Sequence, residues 1–137
     1  MYNYFIFISY SRKDSKIAAY LQKQLENFRI PVKLAVHKEN LPEGQDFLRP
    51  VFRDRRDLKN TEQSFTIDIQ IALEQSRYLL VLCSQHSAES KWVNGEITHF
   101  LKTHDQDYAK IIPLILSGKP NSGDQDECLP SALRLNR

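Results

Sequence analysis

The chain has 137 residues, 41% hydrophobic and 26% charged, with 19 basic and 17 acidic side chains for a formal net charge of +2. That length supports one domain with a core of its own, and the composition is that of a globular chain rather than a disordered or collagenous one. The charges are scattered, so no basic stripe of the kind that tracks nucleic acid is present, apart from a local group at Arg49, Arg53, Arg55 and Arg56.

Tyr4 to Ile8 is a short run of aromatic and β-branched residues ending in Ser9-Tyr10-Ser11, which reads as a buried strand. Behind it Ile17, Ala18, Leu21, Leu25 and Phe28 recur at helical spacing, with Ser15 or Asp14 as cap and Pro31 just beyond the end. Ile30 to Val36 is a candidate for a further short strand, and residues 37–49, polar and carrying Pro42 and Gly44, form a surface excursion. Pro50 to Phe52 is the second strand. Phe65 to Ile71 alternates like a strand, whereas Ile69, Ala72 and Leu73 suit a helix, and periodicity does not choose between them.

Tyr78 to Cys83 is the third strand. Ser90 caps a helix whose Val93, Ile97, Phe100 and Leu101 face the core, running to about His104, and Ile111 to Leu116 is the fourth strand. After Gly118 the chain turns loop-like and closes on an apolar fragment, Leu129 to Leu135. Helices between strands predict an α/β fold with a parallel sheet, in a single domain over residues 1–137.

Three places are candidates for chemistry. In Trp92-Val-Asn-Gly-Glu96, Glu96 falls one helical turn after Trp92, on the edge of the apolar stripe and so half in and half out of solvent. Partial desolvation would favour the protonated carboxyl, and the indole offers a flat surface for a base or sugar. From the residues alone, a surface glutamate beside a helix-anchoring tryptophan is equally a description of it. Gly95, unfavourable inside a helix, points to a need for room there.

The second place, Ser9 to Asp14, joins the first strand to the first helix. Ligands bind at the carboxyl ends of parallel strands, and hydroxyls with Arg12 and Lys13 suit a pyrophosphate, although such a loop is also an ordinary helix entry. The third, Val51 to Leu58, breaks from a strand into dense mixed charge, as a solvated turn or as a loop that pairs with a protein or closes over a ligand.

Other chemistries are disfavoured. Neither glycine-rich nucleotide fingerprint is present, no Gly-x-Ser-x-Gly elbow occurs, and His37, His86, His99 and His104 show no metal-ligand spacing, with His99 and His104 read as solvent-facing. Cys83 in an apolar run and Cys128 in a polar tail read as two reduced thiols. No stretch approaches the ~20 apolar residues of a membrane span, and the apolar start is too short and lacks the basic leader of a signal peptide. A cytoplasmic protein that binds neither membrane nor nucleic acid is expected.

Taken in order, Phe5-Ile-Phe-Ile-Ser-Tyr-Ser11, Val51-Phe-Arg-Asp54 through Leu58, Ser76 to Ser84, and Trp92-Val-Asn-Gly-Glu-Ile97 resemble the boxes of the TIR domain family across nearly the whole chain. The resemblance implies a flavodoxin-like three-layer sandwich, a central parallel sheet flanked by helices; the abrupt end at Arg137 suggests a domain excised from a longer protein. It implies cleavage of the nicotinamide–ribose bond of NAD⁺, with Glu96 catalytic. Tyr10, Ser11, Arg12, Asp54, Leu58, Ser84 and Trp92 fall at positions facing the substrate or the assembly loop. NAD⁺ would be substrate, with no separate cofactor or metal, and other TIR domains would be partners on activation in immune or cell-death signalling. A non-enzymatic TIR scaffold, and an N-glycosidic-bond enzyme of the deoxyribosyltransferase kind with a nucleophilic Glu, are the alternatives.

Overall fold

A computed structural model describes residues 2–34, 47–53 and 67–135. Four strands, β1 (Tyr4–Ser9), β2 (Val51–Arg53), β3 (Ser76–Cys83) and β4 (Ile111–Ile115), pair in the order β2-β1-β3-β4, and every pairing is parallel. The register sets Ile6 opposite Val51 on one side and Tyr78 on the other, and Leu79 opposite Ile111. Because the chain leaves β1 toward β2 and later leaves β3 toward β4, the direction of winding reverses between β1 and β3. Their carboxyl ends flank the switch point at which such sheets bind ligands.

The two faces of the sheet follow the period-2 alternation of the strands. Ile6, Ile8, Tyr10, Leu80 and Leu82 pack under helix α1 (Ser15–Glu26), which contributes Ala18, Leu21 and Leu25. Phe7, Leu79, Val81 and Cys83 point the other way. There they meet Ile69, Ala72 and Leu73 of α2 (Ile67–Glu74) and Val93, Ile97, Phe100 and Leu101 of α4 (Lys91–Thr103). The result is the three-layer α/β/α arrangement of the flavodoxin-like class. Between β3 and α4 lies the short helix α3 (Gln85–Ala88), which the sequence does not announce, closed by a capping box in which Ser84 and Ser87 exchange hydrogen bonds.

Several expectations change. The ambiguous Phe65–Ile71 segment is helical from Ile67, because burial at Ile69, Ala72 and Leu73 follows the spacing of one helix face. The candidate strand at Ile30 to Val36 does not form over its described part: residues 32–34 make a single tight turn closed by Leu34 N donating to Pro31 O at 3.0 Å, with Val32 91% exposed. Pro31 has no amide hydrogen for a ladder. Residues 35–46, with most of the predicted excursion, lie outside the described residues.

His104 is not solvent-facing. It is 4% exposed, its ring stacked 3.7 Å from that of Phe100, with Nδ1 at 2.8 Å from Phe100 O and Nε2 at 2.8 Å from Ser76 O. Its position, four residues past Phe100 on the apolar stripe of α4, is what buries it. His99 is partly buried and pairs with Glu74 at 3.1 Å.

The polar tail is also part of the core. Cys128 is fully buried with Leu129 in the α2/α4 layer, and the turn Ser131–Leu133 packs on α4, with Ala132 N and Ser131 Oγ both donating to Asn94 Oδ1. Glu127 organises this tail. Its carboxylate accepts from the amides of Asn121, Gly123 and Leu129 at 2.8, 3.0 and 3.1 Å, with Arg134 Nε 3.8 Å away. Burial alone would raise its pKa, but these amides and Arg134 outweigh that and hold it below its usual value.

Candidate functional site

The site is built on the end of β1 and the second turn of α4. Ser90 caps α4, its Oγ accepting from Val93 N at 3.1 Å, and this fixes the start of the helix beside the carboxyl end of β3. From that start, Val93, Glu96, Ile97, Phe100 and Leu101 follow the i, i+3, i+4, i+7, i+8 spacing of one face, and all five are buried. Glu96 is on the edge of the stripe, as the spacing predicts, but it is 1% exposed instead of half in solvent. The stripe is wide because α4 fills the groove between the sheet and α2, and a hydroxyl from the sheet makes the carboxylate's burial tolerable.

That hydroxyl belongs to Ser9. Its Oγ donates to Glu96 Oε1 at 2.6 Å, and the serine is completely buried. Ser9 lies in the second candidate place, where its hydroxyl is read toward a pyrophosphate; its pairing with Glu96 is not foreseen there, yet the signal exists. Phe7 is a core residue of the α4 face, and two residues further along a strand Ser9 has to point the same way. A short hydroxyl at the tip of a strand, on the face that α4 covers, is a polar group in an apolar core and calls for a partner there.

The other predicted site residues divide. Trp92, one turn before Glu96, is half-buried and packs against the α4-face core. Tyr10 lies on the opposite face, 6% exposed among Ile6, Ile8, Leu82 and Ala18, so the structure does not bring its ring together with Glu96. Ser11 caps the turn Arg12–Asp14, its Oγ accepting from Lys13 N at 3.4 Å, which leaves Arg12 and Lys13 exposed beyond the carboxyl end of β1. Asp54 and Leu58 lie outside the described residues.

Ser84 has its hydroxyl committed: it accepts from Ser87 N at 3.2 Å and donates to Asp14 Oδ2 at 2.6 Å. This pair ties the loop after β1 to the loop after β3 across the switch point. It also explains why Asp14, at the N-cap of α1, makes no side-chain cap bond to that helix.

Gly95 is not required by packing. A Cβ there would meet no described atom within 4 Å, so the room it leaves is open space on the outer side of α4, one residue from Glu96. A polar cleft of about 380 Å³ lies elsewhere, between α1 and β2, lined by Gln22, Glu26, Arg49 and Arg53 among others; it is on the α1 layer and does not contain Glu96. Among the described residues no group of His, Cys, Asp and Glu side chains is arranged to hold a metal ion. No helix of the described residues is long and apolar enough to cross a membrane.

Comparison with known proteins agrees with this geometry. The model of the TIR domain family matches residues 6–134. A protein of an Actinoplanes species named NAD(+) hydrolase ApTIR is 31% identical over 140 residues, covering 96% of this chain but 18% of that protein, so the chain spans under a fifth of its relative's length. The TIR domains of the activated Roq1 resistosome directly recognizing the pathogen effector XopQ superpose with a TM-score of 0.52 at 22% identity, over 82% of this chain and 57% of theirs, a likeness of fold. The family match over nearly the whole chain and the 31% identical relative, with the parallel strand order, lead to one conclusion: the chain belongs to the TIR domain family.

Proposed function

We propose that the chain is an NAD⁺-cleaving TIR domain in which Glu96 is the catalytic residue. The observation that carries this reading is a carboxylate at 1% exposure, on the buried apolar face of α4, held at 2.6 Å by a serine at the carboxyl end of β1. A buried acid in such a place is costly and is more often kept for chemistry than for stability. The 31% identical relative named as an NAD(+) hydrolase supports the choice of substrate.

One carboxylate is sufficient for the reaction. Glycoside hydrolysis commonly needs a second, acidic group to protonate the leaving oxygen. Nicotinamide, in contrast, leaves from a cationic pyridinium ring and takes the bonding electron pair as a neutral base. Glu96 is left to bind the ribose hydroxyls and to stabilise the oxocarbenium-like charge at C1. Water then adds to C1 and loses a proton, giving ADP-ribose; attack by a nitrogen of the adenine gives the cyclic product instead. Arg12 and Lys13, exposed past β1, suit the pyrophosphate, and Trp92 the nicotinamide ring. Ser11 and Ser84 act in this reading by shaping the two loops, Tyr10 by anchoring the first of them in the core under α1, and Asp54 and Leu58 are further substrate or loop contacts.

Because Glu96 is covered, substrate contact requires the surrounding side chains to open, which fits activation by assembly with further TIR domains. Half-exposed Ile112 and Ile115 on the edge strand β4 are apolar surface of the kind that self-association covers. By family resemblance the setting is cytoplasmic immune or cell-death signalling, antiviral defence included. The same apolar edge of β4 would also serve the second reading, a non-enzymatic TIR scaffold. Incubating concentrated protein with NAD⁺ and following nicotinamide separates the two: release by wild type and not by Glu96→Ala supports the enzyme, and no release by crowded or surface-held wild type supports the scaffold.

A further inference from the structure

We propose that Ser9 is a positioning residue for the Glu96 carboxylate, an inference that rests on the NAD⁺-cleaving reading above. Ser9 closes β1, where it stands opposite Val81 of β3, so its backbone is fixed by the sheet ladder. Glu96 stands on another element, and its carboxylate swings on three side-chain torsions. A 2.6 Å contact between a hydroxyl and a carboxylate oxygen has the length of a charge-assisted hydrogen bond. It references the mobile acid to the rigid strand.

The neighbouring hydroxyls do not substitute for it. Ser11 is engaged in its own turn, and Ser84 is engaged with Ser87 and Asp14. With Oε1 fixed by Ser9, the orientation of the second oxygen is fixed as well, since the carboxylate is planar. A hydroxyl that donates to the ionised acid also favours the ionised form, which the reaction requires.

The experiment compares wild type, Ser9→Ala, Ser9→Thr and Glu96→Gln, each first shown by thermal melting to be folded. Nicotinamide release supplies kcat, KM and the pH profile, and a ¹³C-NMR titration of the labelled Glu96 carboxyl supplies a readout independent of turnover. Ser9→Ala is expected to lower kcat by about tenfold to hundredfold with KM within about twofold, the effect of a misplaced catalytic group. The acidic limb of its pH profile and the NMR midpoint both move to higher pH, because the donor to the ionised form is gone. Ser9→Thr, which keeps the hydroxyl, restores both. Wild-type kcat and an unmoved midpoint in Ser9→Ala, beside an inactive Glu96→Gln, would overturn the role of Ser9 alone. Wild type that releases no nicotinamide would instead remove the reading beneath it, while the NMR midpoints would still decide whether Ser9 governs the ionisation of Glu96.

Discussion

If Glu96 is kept for chemistry, the fold is more stable without it. The sharpest perturbation is the pair Ser9→Ala and Glu96→Met, which replaces a buried hydrogen-bonded acid and its donor by apolar groups. Both wild-type residues are at most 1% exposed, so their polar atoms have given up their water on folding. Burying a carboxylate costs several kcal/mol after relaxation, and the charge-assisted bond to Ser9 returns about 1.5–3 kcal/mol of it. A methionine of similar length among Val93, Ile97 and Phe100 contributes roughly 1.5–3 kcal/mol by its own burial. The expected net is a gain of about 1–3 kcal/mol in the double variant, on the pattern of buried ion pairs replaced by hydrophobic groups. For a domain of this size that is a rise in Tm of roughly 3–12 °C. Glu96→Met alone should gain less, because the buried Ser9 hydroxyl then loses its acceptor. Calorimetry of the three proteins, with nicotinamide release measured on the same samples, is the assay. A double variant that melts below wild type would make Glu96 a structural keystone and refute the argument that its burial is tolerated for function.

Glu127→Ala should destabilise by about 1–3 kcal/mol, since the amide of buried Leu129 loses its acceptor while those of exposed Asn121 and Gly123 turn to water. As the Glu127 pKa is depressed on folding, its contribution is complete above the ordinary glutamate value of 4.5 and fades as pH falls through the lower folded value; urea titrations at pH 7 and pH 3 should show wild type and variant converging at the acid end. Gly118 has φ +88°, and a Cβ there would stand 2.6 Å from Asp126 O and 2.9 Å from Cys128 Cβ, whereas Gly123 at φ +72° has open space. Gly118→Ala should therefore cost more than about 2 kcal/mol and Gly123→Ala only about 1 kcal/mol by thermal melts, and equal costs would contradict the close packing of the tail. Burial, with neighbouring Cys128, pushes the Cys83 thiol up to about 12, against a lowering hydrogen bond from the Leu114 backbone. Iodoacetamide at pH 8 should leave Cys83 unmodified in the folded protein and alkylate it readily in denaturant; rapid native labelling would refute its burial.

The layout of strands was legible because each is short, apolar and bounded by polar residues, and the helix between β1 and β2 requires a parallel crossover. The observed bounds of β1, β3 and β4 fall within one or two residues of those expected. What the sequence left hidden depended on tertiary partners. Glu96, on the edge of its stripe, looks half-exposed until the breadth of the groove under α4 is known, and His104 looks exposed until its ring is found stacked with those of Phe100 and Tyr2. The tail looked polar because its charges serve internally: Glu127 collects backbone amides, and Arg134 donates to Leu129 O at 2.7 Å. Trp92 and Glu96 were found by their spacing and by family resemblance, while Ser9 needed only the strand alternation carried two residues past Phe7. Tyr10 shows the converse, since the same alternation sends it to the face under α1.

The most direct test of the central claim is the rate of nicotinamide release from NAD⁺ by wild type and by Glu96→Gln, matched in concentration, fold and state of assembly. Glutamine keeps an acceptor for Ser9 and nearly the same shape, and removes only the charge. A fall of about 10²–10³-fold or more is predicted, the size seen when a group stabilising transition-state charge is removed. Release by Glu96→Gln within about tenfold of wild type would contradict the claim that this carboxylate carries the chemistry.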